Sequence, residues 1–233
     1  MAKPKLLLVD GSSLAFRAFF SILDLNRFKN SNGLHTNALY SFHRMFKSIL
    51  DSEKPTHVLV AWDAGKTTFR TEMYADYKGG RSKTPGEFIE QMPYFNVLLD
   101  AWGIPHYRLN QYEADDIIGT LAKQGKAAGY EVVVLSGDKD LIQLADNNIT
   151  VKITTKGVTE LVEYTPEVIF EKYGLTPEQI IDMKGLMGDS SDNYPGVTKV
   201  GEKTAVKLLQ EFGSVEGIYE HVDEMKKSKL KEN

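Results

Sequence analysis

Three short apolar runs constrain the fold of this chain more than any other feature, because each leads straight into aspartate. Lys5–Val9 runs into Asp10, His57–Trp62 into Asp63, and Glu131–Leu135 into Ser136-Gly137-Asp138-Lys139-Asp140. The runs are rich in Val and Leu and bounded by polar turns, so they read as buried parallel strands. Between them, Ser12–Leu23, Ala38–Leu50, Glu87–Trp102 and Ala114–Ala128 carry apolar residues at helical spacings of three and four. Gly129 suits the end of the last of these, before the third strand. Strands alternating with helices predict an α/β domain with a central, mostly parallel sheet flanked by helices.

The second half changes character. Tyr164–Tyr173 and Thr176–Met187 read as helices, with Thr165-Pro166-Glu167 and Thr176-Pro177-Glu178 each placing Thr at an N-cap and Pro at the first helical position. Glycines then punctuate the chain up to a helix over Lys203–Phe212. This predicts an α/β domain over residues 1–160 and a helical subdomain over 161–233. The charged end, Lys226 to Asn233, lacks a termination signal, and the chain reads as a fragment of something longer.

In an open parallel sheet, ligands bind outside the carboxyl ends of the strands. Parallel strands here gather Asp10, Asp63, Asp138 and Asp140 on one edge. One such aspartate is explained as a turn former; the repetition at three strand ends is not. Glu113-Ala114-Asp115-Asp116 opens the helix before the third strand. Acids cap and suit a helix N-terminus, but three in four residues exceed that need. Asp189 and Asp192 follow at another glycine-bounded turn, where a solvated loop is the plainer reading.

Nine carboxylates near one point require cations. Oxygen ligands select Mg²⁺ or Mn²⁺ over Zn²⁺. The five histidines (35, 43, 57, 106 and 221) show no zinc spacing, and with no cysteine there is no thiolate site, no disulfide and no cysteine nucleophile. Two divalent ions are the standard device for phosphodiester hydrolysis. The net charge of −4 is smaller than the charge of those nine acids, so the rest of the chain is net basic.

Basic and aromatic residues accompany the acids. Arg70, Tyr74, Tyr77, Lys78 and Arg81 would share one face of a helix. They read as an electrostatic guide for a phosphate chain, with tyrosines to stack on bases and Lys83 beyond; a solvated helix face is the plainer alternative. Gly79-Gly80 suits a mobile arch over about 66–95. Arg17 and Phe20 form a weaker pair of the same kind. Tyr194-Pro195-Gly196-Val197-Thr198-Lys199-Val200-Gly201-Glu202-Lys203-Thr204-Ala205 has the form of a helix–hairpin–helix, spanning about 185–212. Such a hairpin presents backbone N–H groups and a helix N-terminus to a phosphate, with Gly196, Val197, Lys199, Gly201, Lys203 and Thr204 as contacts.

These motifs resemble the 5′-nuclease (flap endonuclease) superfamily, a PIN-like fold, and most closely the 5′→3′ exonuclease domain at the N-terminus of bacterial DNA polymerase I. The resemblance rests on Leu7-Leu8-Val9-Asp10-Gly11, Ala61-Trp62-Asp63-Ala64, Phe69-Arg70 with Tyr77-Lys78-Gly79-Gly80-Arg81, Glu113-Ala114-Asp115-Asp116, Ser136-Gly137-Asp138-Lys139-Asp140 and Gly188-Asp189-Ser190-Ser191-Asp192-Asn193-Tyr194-Pro195-Gly196-Val197. It implies one ion held by Asp10, Asp63, Glu113, Asp115 and Asp116 and another by Asp138, Asp140, Asp189 and Asp192, with Asp138 touching both. It implies that Arg70, Lys78 and Arg81 hold the scissile phosphate, that Tyr74 stacks near the 5′ end, and that carbonyls of the hairpin hold K⁺. Thr198-Lys199 stands where many relatives have Pro-Gly, which bears on that K⁺ site. The implied activity is metal-dependent 5′→3′ exonucleolytic and 5′-flap cleavage of DNA and RNA primers in replication and repair, by a monomer in the bacterial cytoplasm at the nucleoid, with a polymerase following in the same chain and no membrane partner. The alternatives are a non-catalytic DNA-structure binder, a small-substrate phosphohydrolase and a stand-alone exonuclease.

Overall fold

The computed structural model describes residues 3–65, 67–155 and 160–224. β1 (Lys5–Asp10) runs directly into α1 (Gly11–Phe20). Asp10 caps this helix, its Oδ1 accepting from Ser13 N at 2.9 Å. Gly11 is imposed by close approach, since a Cβ there would lie 2.7 Å from Val60 Cγ1 and 2.9 Å from the Trp62 ring. There follow α2 (Asn37–Glu53), β2 (His57–Trp62), α3 (Phe69–Met73), α4 (Gly86–Ile89), α5 (Met92–Ala101), β3 (His106–Arg108), α6 (Ala114–Ala127), β4 (Glu131–Ser136), β5 (Ile149–Thr154) and β6 (Leu161–Tyr164). The strands form one sheet in the order β3-β2-β1-β4-β5-β6, parallel except for β6.

Alternate residues of β1 face opposite sides. Leu7 and Val9 pack with Phe42, Phe46, Trp62 and Phe95 from α2, β2 and α5, while Leu8 packs with Ile118 of α6. A sheet covered on both faces needs apolar residues at every position, which is why these strands read as unbroken runs.

Three strands escape the sequence reading. β3 is only His-Tyr-Arg and pairs with β2 through its backbone. β5 carries buried Ile149, Val151 and Ile153 in period-two alternation. β6 pairs antiparallel with β5, so Leu161–Tyr164 completes the sheet. The helix expected over Glu87–Trp102 is broken into α4 and α5. Pro93 fits only the first turn of a new helix. Gln91 at the break is buried, and its amide accepts from Ala38 N at 3.0 Å and donates to Asn37 Oδ1 at 2.9 Å at the start of α2.

The remaining elements are α7 (Pro166–Tyr173), α8 (Gln179–Met187), the two-residue pair β7 (Gly188–Asp189) and β8 (Tyr194–Pro195), α9 (Glu202–Phe212) and α10 (Val215–Glu220). Tyr164, expected to begin a helix, ends β6, and α7 starts at Pro166 behind the Thr165 cap. Thr176 and Gln179 exchange side-chain and backbone hydrogen bonds, so Thr176-Pro177-Glu178 is the turn that introduces α8. The charged stretch Lys226–Asn233 lies outside the described residues. No described helix is long and apolar enough to cross a membrane.

Candidate active site

β2, β1 and β4 are adjacent and parallel, so their carboxyl ends form one edge. Asp10 is in register with Ala61, two residues before Asp63. Ser136 Oγ donates to Asp10 Oδ2 at 2.7 Å and accepts from Asp138 N at 3.0 Å. Asp138 Oδ1 accepts from Asp140 N, and Asp63 Oδ1 accepts from Ala114 N at the start of α6, both at 2.9 Å. The sheet edge and the N-terminus of α6 therefore bring the acids together. Ser12, Ser13 and Ser136, which the sequence reading passed over, form a hydroxyl scaffold: Ser12 Oγ accepts from Asp63 N and Ser13 Oγ from Gly137 N. Their signal is their place two or three residues after a strand-end aspartate, or two residues before one.

Four of these acids, Asp10, Asp63, Asp115 and Asp138, repel one another across the strand ends, with Asp10 buried among them. Burial pushes the Asp10 carboxyl up to about 6; the charges of Asp63 and Asp138 add to this, and the bonds from Ser13 and Ser136 oppose it. Burial also raises Asp115 well above the ordinary range, with Asp10, Asp138 and Asp63 reinforcing the shift. The Asp115 carboxylate accepts no hydrogen bond among the described residues. Asp138 acts on both sides, since its charge adds to the burial that raises Asp140 against the bond from Lys184.

The other acids are held by cations and by Tyr77. Arg70 grips Asp116 with two bonds of 2.8 Å, which hold the guanidinium above its ordinary value. Lys78 Nζ lies 2.9 Å from Glu113 Oε1, and Arg81 Nη2 lies 2.7 Å from Asp192 Oδ1. Tyr77 Oη stands 3.1 Å from both Glu113 Oε2 and Asp192 Oδ2, so its single proton serves one carboxylate at a time. Burial and then those two charges push the Tyr77 hydroxyl far up. Lys184 Nζ lies 2.7 Å from Asp140 Oδ1 and 2.5 Å from Asp189 Oδ2. Burial disfavours that ammonium, but bonds to the two aspartates outweigh it and hold Lys184 above its usual value. Lys184 is absent from the sequence reading, although it precedes Asp189 by five residues at the end of a helix.

The expected helical face from Arg70 to Arg81 does not form. α3 ends at Met73, Tyr74 is extended at φ −141°, and turns follow, with Lys78 at φ +57°. Asp76 and two glycines are poor helix formers, and tertiary contacts fix the turns: Lys78 N donates to Asp192 O and Asn193 Nδ2 to Asp76 O, both at 2.8 Å. Arg70, Tyr77, Lys78 and Arg81 still converge on the acids, whereas Tyr74 is 40% exposed and its side chain makes no hydrogen bond among the described residues. Lys83 is exposed. Arg17 donates to Thr155 O at 3.0 Å, and Phe20 packs edge-on against Phe16 and Phe19 with half its surface exposed.

Behind the acids, α8, a tight turn and α9 are arranged in series. Gly188 and Gly196 meet back to back, and a Cβ on Gly188 would lie 2.3 Å from Gly196 N. Val197 N donates to Leu186 O, Val200 N to Val197 O, and Thr204 N to Gly201 O, with Gly201 as the N-cap of α9. Lys199 adopts φ +66°, a left-handed conformation that glycine takes more easily. Lys199, Lys203 and Lys207 are exposed at four-residue spacing, and Lys207 is an addition to the sequence reading.

The edge presents carboxylate oxygens, and among the described residues no cation bonds Asp10, Asp63, Asp115 or Asp138, although the Lys78 charge reaches Asp115. Asp140 Oδ1 is buried against a cation, the Lys184 ammonium 2.7 Å away. Both observations fit hard divalent cations. As placed, no three carboxylates among the described residues form a group that could hold one ion, and five of the nine are engaged by Arg70, Lys78, Arg81 or Lys184.

Residues 5–174 match the family model described as the 5′-3′ exonuclease N-terminal resolvase-like domain, and residues 175–233 match the 5′-3′ exonuclease C-terminal SAM fold. DNA polymerase I of Lactococcus lactis subsp. lactis is 62% identical over 234 residues, covering 99% of this chain and 27% of the relative. DNA polymerase I of Bacillus subtilis is 62% identical over 230 residues, covering 99% and 26%. The chain thus spans about a quarter of the length of these relatives. Among solved structures, the T5 5′-exonuclease with bound zinc superposes with a TM-score of 0.76 at 27% identity, covering 98% of this chain and 83% of that one. A bacteriophage T5 flap endonuclease complex with DNA and metal ions gives 0.75 at 27%, covering 98% and 82%.

Proposed function

The chain belongs to the 5′-3′ exonuclease family, and from that premise we propose that its acidic edge is the active site of a divalent-metal-dependent 5′-nuclease acting on DNA and RNA-primer strands at junctions of duplex and single strand. The observation that carries this reading is the facing of Asp10, Asp63, Asp115 and Asp138 across the strand ends, rimmed by Arg70, Lys78 and Arg81 and backed by a helix–hairpin–helix with exposed lysines. Relatives support it: the T5 enzyme has been solved with zinc, and with DNA and metal ions. The proposed unit boundaries are an α/β nuclease domain and a helical DNA-binding domain meeting after β6. A polymerase would occupy the remainder of the full-length protein, as in the curated relatives.

Asp10, Asp63, Asp115 and Asp138 would hold one Mg²⁺ or Mn²⁺, with Glu113 and Asp116 at its margin, and Asp138, Asp140, Asp189 and Asp192 a second. Bound there, divalent ions supply charge neutralisation and an activated water for phosphodiester hydrolysis. The protein's own groups do the rest. Arg70, Lys78 and Arg81 leave their carboxylate partners to hold the scissile phosphate and offset charge developing on it. Tyr77 and Tyr74 lie where bases of the 5′ strand pass. The backbone N–H groups around Gly196–Gly201, with Lys199, Lys203 and Thr204, hold the duplex backbone without reading its sequence. A K⁺ ion on the carbonyls of that turn is part of the same proposal.

Cleavage of a labelled 5′-flap duplex tests the reading, using Mg²⁺, EDTA and Asp138→Ala. Short 5′ products should appear with Mg²⁺ alone. Flap binding without cleavage in either Mg²⁺ or Mn²⁺ would favour a non-catalytic binder, which all nine carboxylates argue against.

A further inference from the structure

We infer that Lys184 is a built-in competitor for the second divalent ion, its ammonium filling the place between Asp140 and Asp189 that the ion must take. The inference rests on the proposed metal site and concerns how that site is loaded.

The geometry is that of a bridging cation. Lys184 Nζ contacts one oxygen of each aspartate, at 2.7 Å and 2.5 Å. The other site cations contact their acids differently: Arg81 ends on Asp192, Lys78 on Glu113, and Arg70 on Asp116 with a long 3.9 Å approach to Glu113. Divalent binding at Asp140 and Asp189 is therefore an exchange rather than a simple addition, because an ion and an ammonium cannot occupy the same few ångströms.

The exchange is mechanically easy. The backbone of Lys184 is locked, its carbonyl accepting the Gly188 N–H that caps α8, but the side chain has a long flexible stem. Its side chain is 26% exposed, so rotation carries the ammonium into water without moving the helix.

Mn²⁺ binding by the intact chain, followed by electron paramagnetic resonance and calorimetry, tests the inference without any substrate. Lys184→Met should tighten the weaker of two ions by about three- to fivefold, comparable to releasing a partly exposed ion pair. The tighter ion should change little, and Lys184→Arg, which keeps a bridging cation, should stay near wild type. Unchanged or weaker second-ion binding in Lys184→Met, with wild-type thermal unfolding, overturns the inference while leaving the metal site standing. Two ions in wild type whose affinities ignore Asp140→Asn and Asp189→Asn would overturn the metal-site reading itself. One ion in wild type and two in Lys184→Met would support the exchange directly.

Discussion

Neutralising Asp10 should stabilise the metal-free protein at neutral pH although it removes a proposed ligand. Its carboxyl, 4% exposed, is raised from 3.8 to about 6. At pH 7.5 it is ionised whether folded or unfolded, and the folded state bears the cost of a desolvated charge beside Asp63 and Asp138. Below the ordinary value it is protonated in both states and that cost vanishes. Between the two values the folded protein binds the extra proton, so this group's contribution to stability falls as pH rises from 3.8 to about 6 and stays low above it. The gap is worth about 3 kcal/mol. Asp10→Asn keeps the acceptor for Ser13 N, and Asn caps a helix about as well as Asp. It turns an N–H toward Ser136 Oγ, whose proton loses its acceptor, at a cost of about 1 kcal/mol. The expected result in EDTA is a gain of about 2 kcal/mol at pH 7.5, shrinking to a small loss near pH 3.5, by urea unfolding. A variant no more stable than wild type at pH 7.5, or a difference that does not narrow on acidification, would refute the electrostatic account of the cleft. Added Mg²⁺ should reverse the order, because a ligand stabilises the form that binds it better.

Gly11→Ala should lower stability by about 1–3 kcal/mol in thermal unfolding, because its methyl must displace Val60 or the Trp62 ring. Flap-cleaving activity should fall further than stability, since Gly11 adjoins Asp10 and Trp62 adjoins Asp63. Lys203→Ala should weaken duplex binding in EDTA equally for different sequences and make the plot of log affinity against log salt shallower by about 0.9.

What the sequence revealed follows from where each contact is encoded. β1, β2 and β4 were legible because burial on both faces demands an unbroken apolar run. The acids were legible because a strand end fixes their position one or two residues later. β3 was not, since three partly polar residues held by backbone pairing leave no side-chain pattern. β5 did carry alternation, with Ile149, Val151 and Ile153 buried, and was passed over. The ion pairs had no local signature: Arg70 meets Asp116 and Arg81 meets Asp192 only through the tertiary fold. Helical spacing from Arg70 to Arg81 predicted a shared helix face, which does not form, yet Arg70, Tyr77, Lys78 and Arg81 all meet the acids. They share a cleft because turns pinned by Asp192 and Asn193 aim them there.

Those pins join the two halves of the proposed site. Asp192 receives Arg81 and Tyr77 on its carboxylate and Lys78 N on its carbonyl, so one residue of the helical part fixes three of the arch. The metal-free protein thereby has two kinds of acid. Asp10, Asp115 and Asp138 face one another without a cation bonded to them, whereas Asp140 and Asp189 share Lys184 and Asp192 is paired with Arg81. An ion entering the first group relieves repulsion at no cost in broken pairs, and one entering the second must displace a lysine or an arginine. The two ions should therefore load in order, tight and then weak. The second, by drawing Asp192 away from Arg81 and Tyr77, would free the arch groups that the phosphate needs.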